Sequence, residues 1–223
     1  IAAHVVMPDN AKLVKKNAVL GYGARVIECA PTLAARESTA ARVLAETGGT
    51  LIPPYDHLDV IAGQGTAALE LLDEVQDLDA IVAPVGGGGL ISGTAVTARG
   101  LGGRVRVFAA EPLAADDAAR SKAAGTWIPQ TDPRTIADGL LTSLGELTWP
   151  IVRDLVEDVV TVEEDEIVAA MRLAWERAKL LIEPSSAVAV AAVLSERFRG
   201  MDGLRRVGVI LSGGNVDLED LPW

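Results

Sequence analysis

The chain has 223 residues, of which 31 are Asp or Glu and 20 are Lys or Arg, so its formal net charge is −11. This acidic balance argues against nucleic-acid binding driven by bulk charge. Hydrophobic residues make up 49% of the chain and charged residues 23%, a globular composition that excludes the disordered, collagenous and coiled-coil classes.

The single cysteine, Cys29, rules out an intrachain disulfide and favours a reducing compartment, with the cytoplasm as the default. No apolar run approaches the ~18 residues that a membrane span needs, so we expect no membrane association. Residues 1–8 have the pattern of a buried strand, with neither an initiator methionine nor the features of a signal peptide. This start is typical of a fragment or a processed chain.

Short apolar runs alternate with segments of helical periodicity, which predicts the α/β class with open parallel-type sheets flanked by helices. In a first block we predict strands over 4–7, 25–29 and 49–52 and helices over 10–20 and 32–46. Pro53 and Pro54 follow, and because proline cannot donate to a strand ladder, this pair is the best candidate for a domain boundary. It divides the chain into residues 1–54 and residues 55–223.

The same alternation continues after the boundary. We predict strands over 80–85, 105–110, 159–162 and 207–211, and helices over 65–75, 149–155, 165–181 and 187–199. A further helix is predicted after the glycines at 86–89 and ends at residue 99. Between 112 and 148 the pattern is looser, and no fixed-period repeat is present.

Four consecutive glycines, Gly86, Gly87, Gly88 and Gly89, join an apolar strand directly to a helix. Without β-carbons, successive backbone N–H groups can converge on a tetrahedral anion, and the helix start adds partial positive charge. The run therefore predicts a phosphate site. The alternative is a tight strand-to-helix turn, which usually needs only one or two glycines.

The kind of phosphate ligand is open at this level. A dinucleotide site would have Gly-x-Gly-x-x-Gly, whereas Gly87 and Gly89 are followed by Gly93, one residue too far. Glu111, at the end of the next predicted strand, stands where a ribose-binding acid would. A nicotinamide or nucleotide enzyme therefore remains a candidate.

A second loop, Ser212-Gly213-Gly214-Asn215, follows the last predicted strand. Ligands of open parallel sheets gather beyond the carboxyl ends of the strands, so this loop and the glycine run could line one crevice. The Ser212 hydroxyl could then hydrogen-bond a heterocycle nitrogen. Alone, the loop could equally be a Gly-Gly turn with a chance serine.

Four segments occur in an order that is specific when taken together. They are Gly86–Gly89, Ile-Ala-Asp-Gly at 136–139, Leu-Ile-Glu-Pro-Ser at 181–185 and Leu-Ser-Gly-Gly-Asn at 211–215. Together they resemble the fold-type II pyridoxal-phosphate enzymes of the serine racemase and serine/threonine dehydratase (ammonia-lyase) family, over about residues 4–218. Segments 148–155 and 174–177 are similar to the serine racemases in particular. The resemblance implies a tryptophan synthase β-like fold, with residues 1–54 in the small domain and 55–223 in the large cofactor-binding domain.

By this resemblance, Gly86, Gly87, Gly88 and Gly89 hold the phosphate of pyridoxal 5′-phosphate, and Ser212 pairs with the pyridine nitrogen. A neutral hydroxyl partner leaves the ring unprotonated, which makes it a weaker electron sink than an aspartate partner would. This suits α,β-elimination or racemisation better than transamination.

The same family has a divalent-cation loop, which segment 111–117 matches. The resemblance implies that the carboxylates of Glu111 and Asp117 and the carbonyl of Ala115 are ligands, for Mg²⁺ or for Ca²⁺ or Mn²⁺. Taken alone, this acidic loop would more often be a solvated turn. The implied metal role also removes Glu111 as a ribose ligand.

The Schiff-base lysine of the family lies in a Ser-Phe-Lys-x-Arg-Gly-Ala segment, which this chain does not contain. We therefore expect the N-terminal part, roughly a hundred residues, to lie upstream. No motif marks any of the five lysines as a nucleophile, so no catalytic residue is assigned in this chain and the chain alone is expected to be inactive.

The predicted function is that of a lyase or isomerase acting on small hydroxy amino acids, giving a 2-oxo acid and ammonia or the inverted amino acid. The complete enzyme is expected to be a cytoplasmic homodimer. Two alternatives are a β-replacement enzyme of the cysteine synthase type and a non-catalytic metabolite-binding subunit. The preferred substrate, the balance of elimination and racemisation, and nucleotide regulation stay open.

Overall fold

The computed structural model describes all residues from 1 to 223 and has six strands in two parallel sheets, with helices packed on them. The strands are β1 (His4–Pro8), β2 (Arg25–Cys29), β3 (Ala80–Pro84), β4 (Arg106–Pro112), β5 (Asp158–Val162) and β6 (Val207–Val209). The helices are α1 (Leu13–Gly21), α2 (Leu33–Thr47), α3 (Leu58–Glu74), α4 (Gly89–Gly100), α5 (Asp117–Ala124), α6 (Thr148–Leu155), α7 (Glu164–Leu173), α8 (Pro184–Leu194) and α9 (Glu196–Arg199). The α/β class and the parallel sheets are as predicted.

The chain divides into two compact units, one of residues 1–52 and 215–223 and the other of residues 53–214. In the first unit β1 and β2 pair in parallel, with Val5 opposite Val26, and α2 and α1 pack against them. All five residues of β1 are half-buried. The predicted first strand is formed, but the prediction that it is buried is wrong, because a two-stranded sheet covers little of its own surface.

The predicted strand over 49–52 is not formed, and this sheet has two strands only. Gly48 ends α2 in the left-handed conformation, with φ of 64°. Leu51 and Ile52 are 54% and 75% exposed, so neither an apolar contact nor a neighbouring strand holds the segment extended. The first block is therefore βαβα rather than βαβαβ.

The second unit contains a four-stranded parallel sheet in the order β5-β4-β3-β6. Both faces of the sheet are covered, as its nearly continuous apolar strands require. Ala83 of β3 and Val107 of β4 pack with Ile91 of α4. Phe108 points to the other face, where its ring meets Phe198 of α9 edge-on, with centroids 5.2 Å apart.

Helices α3 and α4 approach closely at two glycines. A β-carbon on Gly93 would collide with the backbone of α3, at the Ile61 carbonyl oxygen, at the Gly65 nitrogen 2.5 Å away and at the Gln64 carbonyl carbon 2.9 Å away. This contact holds α4 against α3 and so fixes the helix that follows the glycine run.

Two predicted helices are shorter than expected. Helix α7 ends at Leu173 and continues as one π-helical turn, Ala174–Ala178, which Lys179 closes with φ of 59°. The indole N–H of Trp175 donates to the Ile182 carbonyl oxygen at 2.9 Å. This hydrogen bond holds the segment after the π turn against Trp175, so the helix does not continue. The predicted helix over 165–181 is therefore wrong beyond the π turn.

The predicted helix over 187–199 is broken at Ser195. Its backbone is extended there, with ψ of 150°, and its hydroxyl accepts the N–H of Phe198 at 3.2 Å, so Ser195 caps a separate short helix. The other predicted elements are present with shifted ends. None of the helices combines the length and the apolar character that crossing a membrane requires.

Candidate active site

The glycine run lies where β3 passes into α4. Gly86, Gly87, Gly88 and Gly89 are all buried, and Gly88 is the N-cap of α4, with φ of 90°. No side chain caps this helix. Its first backbone N–H groups therefore keep their capacity to bind an anion, at the end where the helix dipole is positive.

Protein atoms fill the space next to each of these glycines. The ring of Tyr55 lies directly against Gly87, and a β-carbon on Gly88 would be 2.7 Å from Cβ of Thr148 and 2.8 Å from Cδ2 of Leu144. A β-carbon on Gly86 would be 3.0 Å from Cα of Leu140. Packing alone therefore requires glycine here, in addition to any need for a ligand to approach the backbone.

Two residues that the sequence reasoning missed fasten this loop to α6. The hydroxyl of Thr148 donates to the Gly87 carbonyl oxygen at 2.8 Å. The Asp56 carboxylate accepts the N–H groups of Glu146 at 3.0 Å, Leu147 at 3.0 Å and Thr148 at 3.2 Å. An aspartate at a helix start is a usual capping residue, but Asp56 caps a helix that starts 92 residues later in the chain, so local sequence patterns do not reveal it.

Ser212 follows β6, which pairs with β3 in parallel, with Val82 opposite Val209. The carboxyl ends of β3 and β6 therefore lie side by side, and so do the loops that follow them, as the sequence predicted for this edge of the sheet. Ser212 is exposed, and its hydroxyl makes no hydrogen bond within the chain. The carbonyl oxygen of Gly213 accepts the N–H of Glu183 at 3.0 Å, which ties this loop to the start of α8.

Glu111 lies near the carboxyl end of β4, on the other side of β3, and Asp117 begins α5. Both side chains are fully buried. The two Glu111 oxygens accept the N–H groups of Ala118 at 3.0 Å and Ala119 at 2.9 Å. Asp117 accepts from the Leu144 N–H at 3.1 Å. The two buried carboxylates are thus held by hydrogen-bond donors that carry no charge.

The burial of this acidic pair is reflected in its proton affinities. Desolvation raises the pKa of Glu111 well above its usual range, and the nearby Asp117 carboxylate raises it further. Desolvation raises the pKa of Asp117 to about 6. Arg120, one turn further along α5, pairs with Asp116 at 2.7 Å. A cation between Glu111 and Asp117 would relieve the cost of burying two like charges.

Three or more His, Cys, Asp or Glu side chains do not come together anywhere in the chain in a way that could hold a metal ion. The acidic pair offers two carboxylates, and the sequence prediction adds the carbonyl of Ala115, which is itself buried. Such a set of oxygen ligands suits a hard cation that keeps several waters.

Four of the five lysines have identified partners, none of which belongs to the glycine run. Lys12 pairs with Asp220 at 3.2 Å, Lys16 with Glu28 at 2.7 Å, Lys179 donates to the Glu176 carbonyl at 2.7 Å, and Lys122 donates to backbone carbonyls at the end of α6. Lys15 is also engaged. These contacts assign no lysine to the site, so a Schiff-base lysine outside these residues stays a prediction.

Comparison with known proteins gives consistent results over nearly the whole chain. Residues 1–213 match the family described as pyridoxal-phosphate dependent enzyme. The chain is 52% identical to the serine racemase of Dictyostelium discoideum over 223 residues, covering 99% of this chain and 69% of that protein. It is 51% identical to the beta-hydroxyaspartate dehydratase of Paracoccus denitrificans, covering 100% of this chain and 70% of that protein.

The fold agrees equally well with solved structures. Maize serine racemase superposes with a TM-score of 0.95 at 46% identity, covering 98% of this chain and 68% of that chain. The chain thus spans a little more than two thirds of the length of these relatives. The fold type and the family that the four sequence segments predicted are confirmed, and the chain belongs to the pyridoxal-phosphate dependent enzymes of fold type II, alongside serine racemases and hydroxy amino-acid dehydratases.

Proposed function

We propose that this chain supplies the phosphate and ring contacts of a pyridoxal-phosphate enzyme that racemises or dehydrates small hydroxy amino acids. The observation that carries the proposal is the buried, uncapped start of α4 at Gly86–Gly89, which follows β3, with the exposed residue Ser212 in the loop after the neighbouring strand β6. The names of the relatives, which include serine racemases and a beta-hydroxyaspartate dehydratase, support this substrate class.

The glycine run is suited to the phosphate of the cofactor. The loop presents backbone N–H groups without side chains, and the start of α4 adds partial positive charge where a dianion would bind. Because the loop is buried, it excludes water from these hydrogen bonds and strengthens them. We assign Gly86, Gly87, Gly88 and Gly89 to phosphate binding.

Ser212 is suited to the pyridine nitrogen. Its hydroxyl makes no hydrogen bond within the chain, and it lies in the loop after β6, the strand that pairs with the strand leading into the glycine run. A hydroxyl can donate a hydrogen bond to a neutral nitrogen without transferring its proton. Pyridoxal phosphate supplies a conjugated ring that draws electron density from the α-carbon of a bound amino acid, and Ser212 keeps this effect moderate. Such moderation favours elimination or racemisation.

We assign the acidic pair, Glu111 and Asp117, with the carbonyl of Ala115, to a divalent cation, Mg²⁺ in the first instance and Ca²⁺ or Mn²⁺ as substitutes. The raised pKa values of two buried, neighbouring carboxylates support a cation at this position. The cation would fasten β4 to the start of α5, outside the phosphate and ring contacts. Its role in this proposal is structural.

A cytoplasmic location and a homodimer complete the proposal. The single, free Cys29 supports a reducing compartment, and the family resemblance supports the dimer. Light scattering of the purified protein tests the oligomeric state, since a monomer at working concentration would contradict it.

The activity is tested with L-serine, L-threonine and 3-hydroxyaspartate as substrates for the purified full-length protein. We expect formation of a 2-oxo acid with ammonia, or loss of optical purity, only when pyridoxal phosphate is present. Ser212→Ala should lower kcat while leaving the cofactor content largely unchanged. Binding of a nicotinamide dinucleotide in place of pyridoxal phosphate would overturn the proposal.

A further inference from the structure

The hydroxyl of Thr148 has a defined orientation at the glycine run. Thr148 is fully buried, and its Oγ1 accepts the N–H of Gly145 at 2.7 Å while donating to the Gly87 carbonyl oxygen at 2.8 Å. The other possible acceptor, the Gly145 carbonyl oxygen, is farther away, at 3.4 Å. Since a hydroxyl has one proton to donate, the shorter contact assigns it to Gly87.

This hydrogen bond fixes the direction of one peptide unit. In a planar trans peptide, the carbonyl of Gly87 and the N–H of Gly88 point in opposite directions. A peptide between two glycines can rotate with little steric resistance. If this peptide flipped, a carbonyl oxygen would replace the N–H that faces away from Thr148. The Gly88 N–H makes no hydrogen bond within the chain, so it is available to a ligand only in the observed orientation.

Thr148 is itself held by the segment that packs on the glycine run. The Asp56 carboxylate accepts its N–H at 3.2 Å and that of Leu147 at 3.0 Å. Asp56 follows Tyr55, whose ring lies against Gly87. The start of α6 and the glycine run are therefore fastened together through consecutive residues.

We propose that Thr148 is a positioning residue for phosphate binding, whose hydroxyl holds the Gly87–Gly88 peptide with its N–H toward the anion, and that Asp56 keeps Thr148 in place. The inference rests on the proposed assignment of the glycine run to phosphate. Thr148 acts through the backbone of Gly87 and touches no reacting atom.

The test compares two ligands that differ only in the phosphate, pyridoxine 5′-phosphate and pyridoxine. Neither carries an aldehyde, so neither can react with surface lysines. Thr148→Val removes the hydroxyl at nearly constant volume, and Thr148→Ser retains it. We expect Thr148→Val to weaken binding of pyridoxine phosphate about tenfold or more, with no change for pyridoxine, and Thr148→Ser to behave like the unmodified protein.

Thr94→Val is the matched control. Thr94 is buried in α4, and its hydroxyl donates to the Leu90 carbonyl at 2.9 Å within the same helix. Its loss should leave the affinity of both ligands unchanged. If Thr148→Val weakened both ligands equally, or neither, the positioning role would be wrong.

A measurement on the unmodified protein keeps the inference testable if Thr148→Val does not fold. Inorganic phosphate is titrated into the ¹⁵N-glycine-labelled protein, and the Gly88 amide should shift more than the glycines outside the loop. If the Gly88 amide resonance did not shift while that of Gly86 or Gly89 did, the role of Thr148 would be wrong, but the phosphate assignment would stand. If the unmodified protein bound pyridoxine phosphate no better than pyridoxine, the phosphate assignment itself would fail.

Discussion

The carboxylate of Glu111 accepts the backbone N–H of Ala118 at 3.0 Å and so holds the start of α5 against the end of β4. Asp117, whose own pKa is raised to about 6, lies close enough to raise that of Glu111. The folded chain without a cation therefore holds protons that the unfolded chain releases above about pH 4. Its free energy of unfolding therefore falls as the pH rises from about 4, the usual aspartate pKa, through about 6, the pKa of folded Asp117. For Asp117 this loss is on the order of 3 kcal/mol.

We expect a divalent cation to replace these protons. Adding Mg²⁺ to the metal-free protein should raise the Tm by about 5 °C near neutral pH and less at about pH 5, below the pKa of Asp117, where protons compete with the cation. Glu111→Gln should abolish the response to Mg²⁺. Asp116→Asn, which removes the neighbouring acid that pairs with Arg120, should retain the response. An effect of Mg²⁺ that is equally large at both pH values would contradict the metal assignment.

Lys122 is expected to stabilise the fold through α6. Its ammonium donates to the carbonyl oxygens of Arg153 at 2.7 Å and Val152 at 3.4 Å, and also to that of Val156, so it neutralises the negative end of the helix dipole. Lys122→Met should lower the free energy of unfolding in urea by about 2 kcal/mol. Lys12→Met, which breaks only the exposed pair with Asp220, should cost less than about 1 kcal/mol. If both variants lost the same free energy of unfolding, the contacts of Lys122 with the α6 carbonyls would contribute no more than an exposed ion pair.

Asp79 should make the stability of the protein depend on pH in the acid range, because its carboxylate binds the backbone just before β6. Its Oδ2 accepts the N–H groups of Arg206 at 2.7 Å and Arg205 at 2.8 Å, which lower its pKa. A lowered pKa in the folded state gives stability above the usual aspartate pKa, and this stability is lost as the pH falls through the folded value. The Tm deficit of Asp79→Ala should therefore be largest near neutral pH and shrink as the pH falls below the usual aspartate pKa of about 3.9.

Asp77→Ala is the control for this acid dependence, because Asp77 contacts only the side chain of Arg206 at the surface. Its Tm deficit should be small at every pH. A deficit in Asp79→Ala that persists unchanged in acid would assign its effect to packing instead of charge.

The helix contact at Gly93 predicts that two similar substitutions change the free energy of unfolding in opposite directions. Gly93→Ala places a β-carbon against the backbone of α3 and should destabilise the protein by more than about 2 kcal/mol. Gly63→Ala, within α3, meets nothing within 4 Å and should stabilise it by about 0.5–1 kcal/mol, since glycine is a poor helix former. Thermal unfolding of both variants checks the pair. Similar destabilisation by both would contradict the close approach of α3 and α4.

Much of the fold was predictable because its signals are local. The buried strand before Gly86 and the helix after Gly89 follow from one apolar run and one glycine run, and the parallel arrangement follows from their alternation. The strand predicted over 49–52 has the same local pattern but lacks a partner, and strand formation depends on a neighbour that sequence does not display. The π turn at Ala174–Ala178 depends likewise on a contact from Trp175 to Ile182.

The site was predictable only in part for a related reason. Gly86–Gly89, Ser212 and the acidic pair stand out as residue types in motifs. Asp56 and Thr148 do not, because each acts on residues 61 or more positions away in the chain. Their roles follow from hydrogen-bond geometry, which the residue type alone does not specify.

The most direct test of the central assignment is amide hydrogen exchange of the full-length protein with and without pyridoxal phosphate. The N–H groups at the start of α4 have no capping side chain, so a phosphate that accepts them should slow their exchange relative to the free protein. We predict that the cofactor slows exchange over residues 85–92 and that pyridoxal, which lacks the phosphate, does so much less. If the cofactor bound and exchange over 85–92 stayed unchanged, the glycine run would not be the phosphate site.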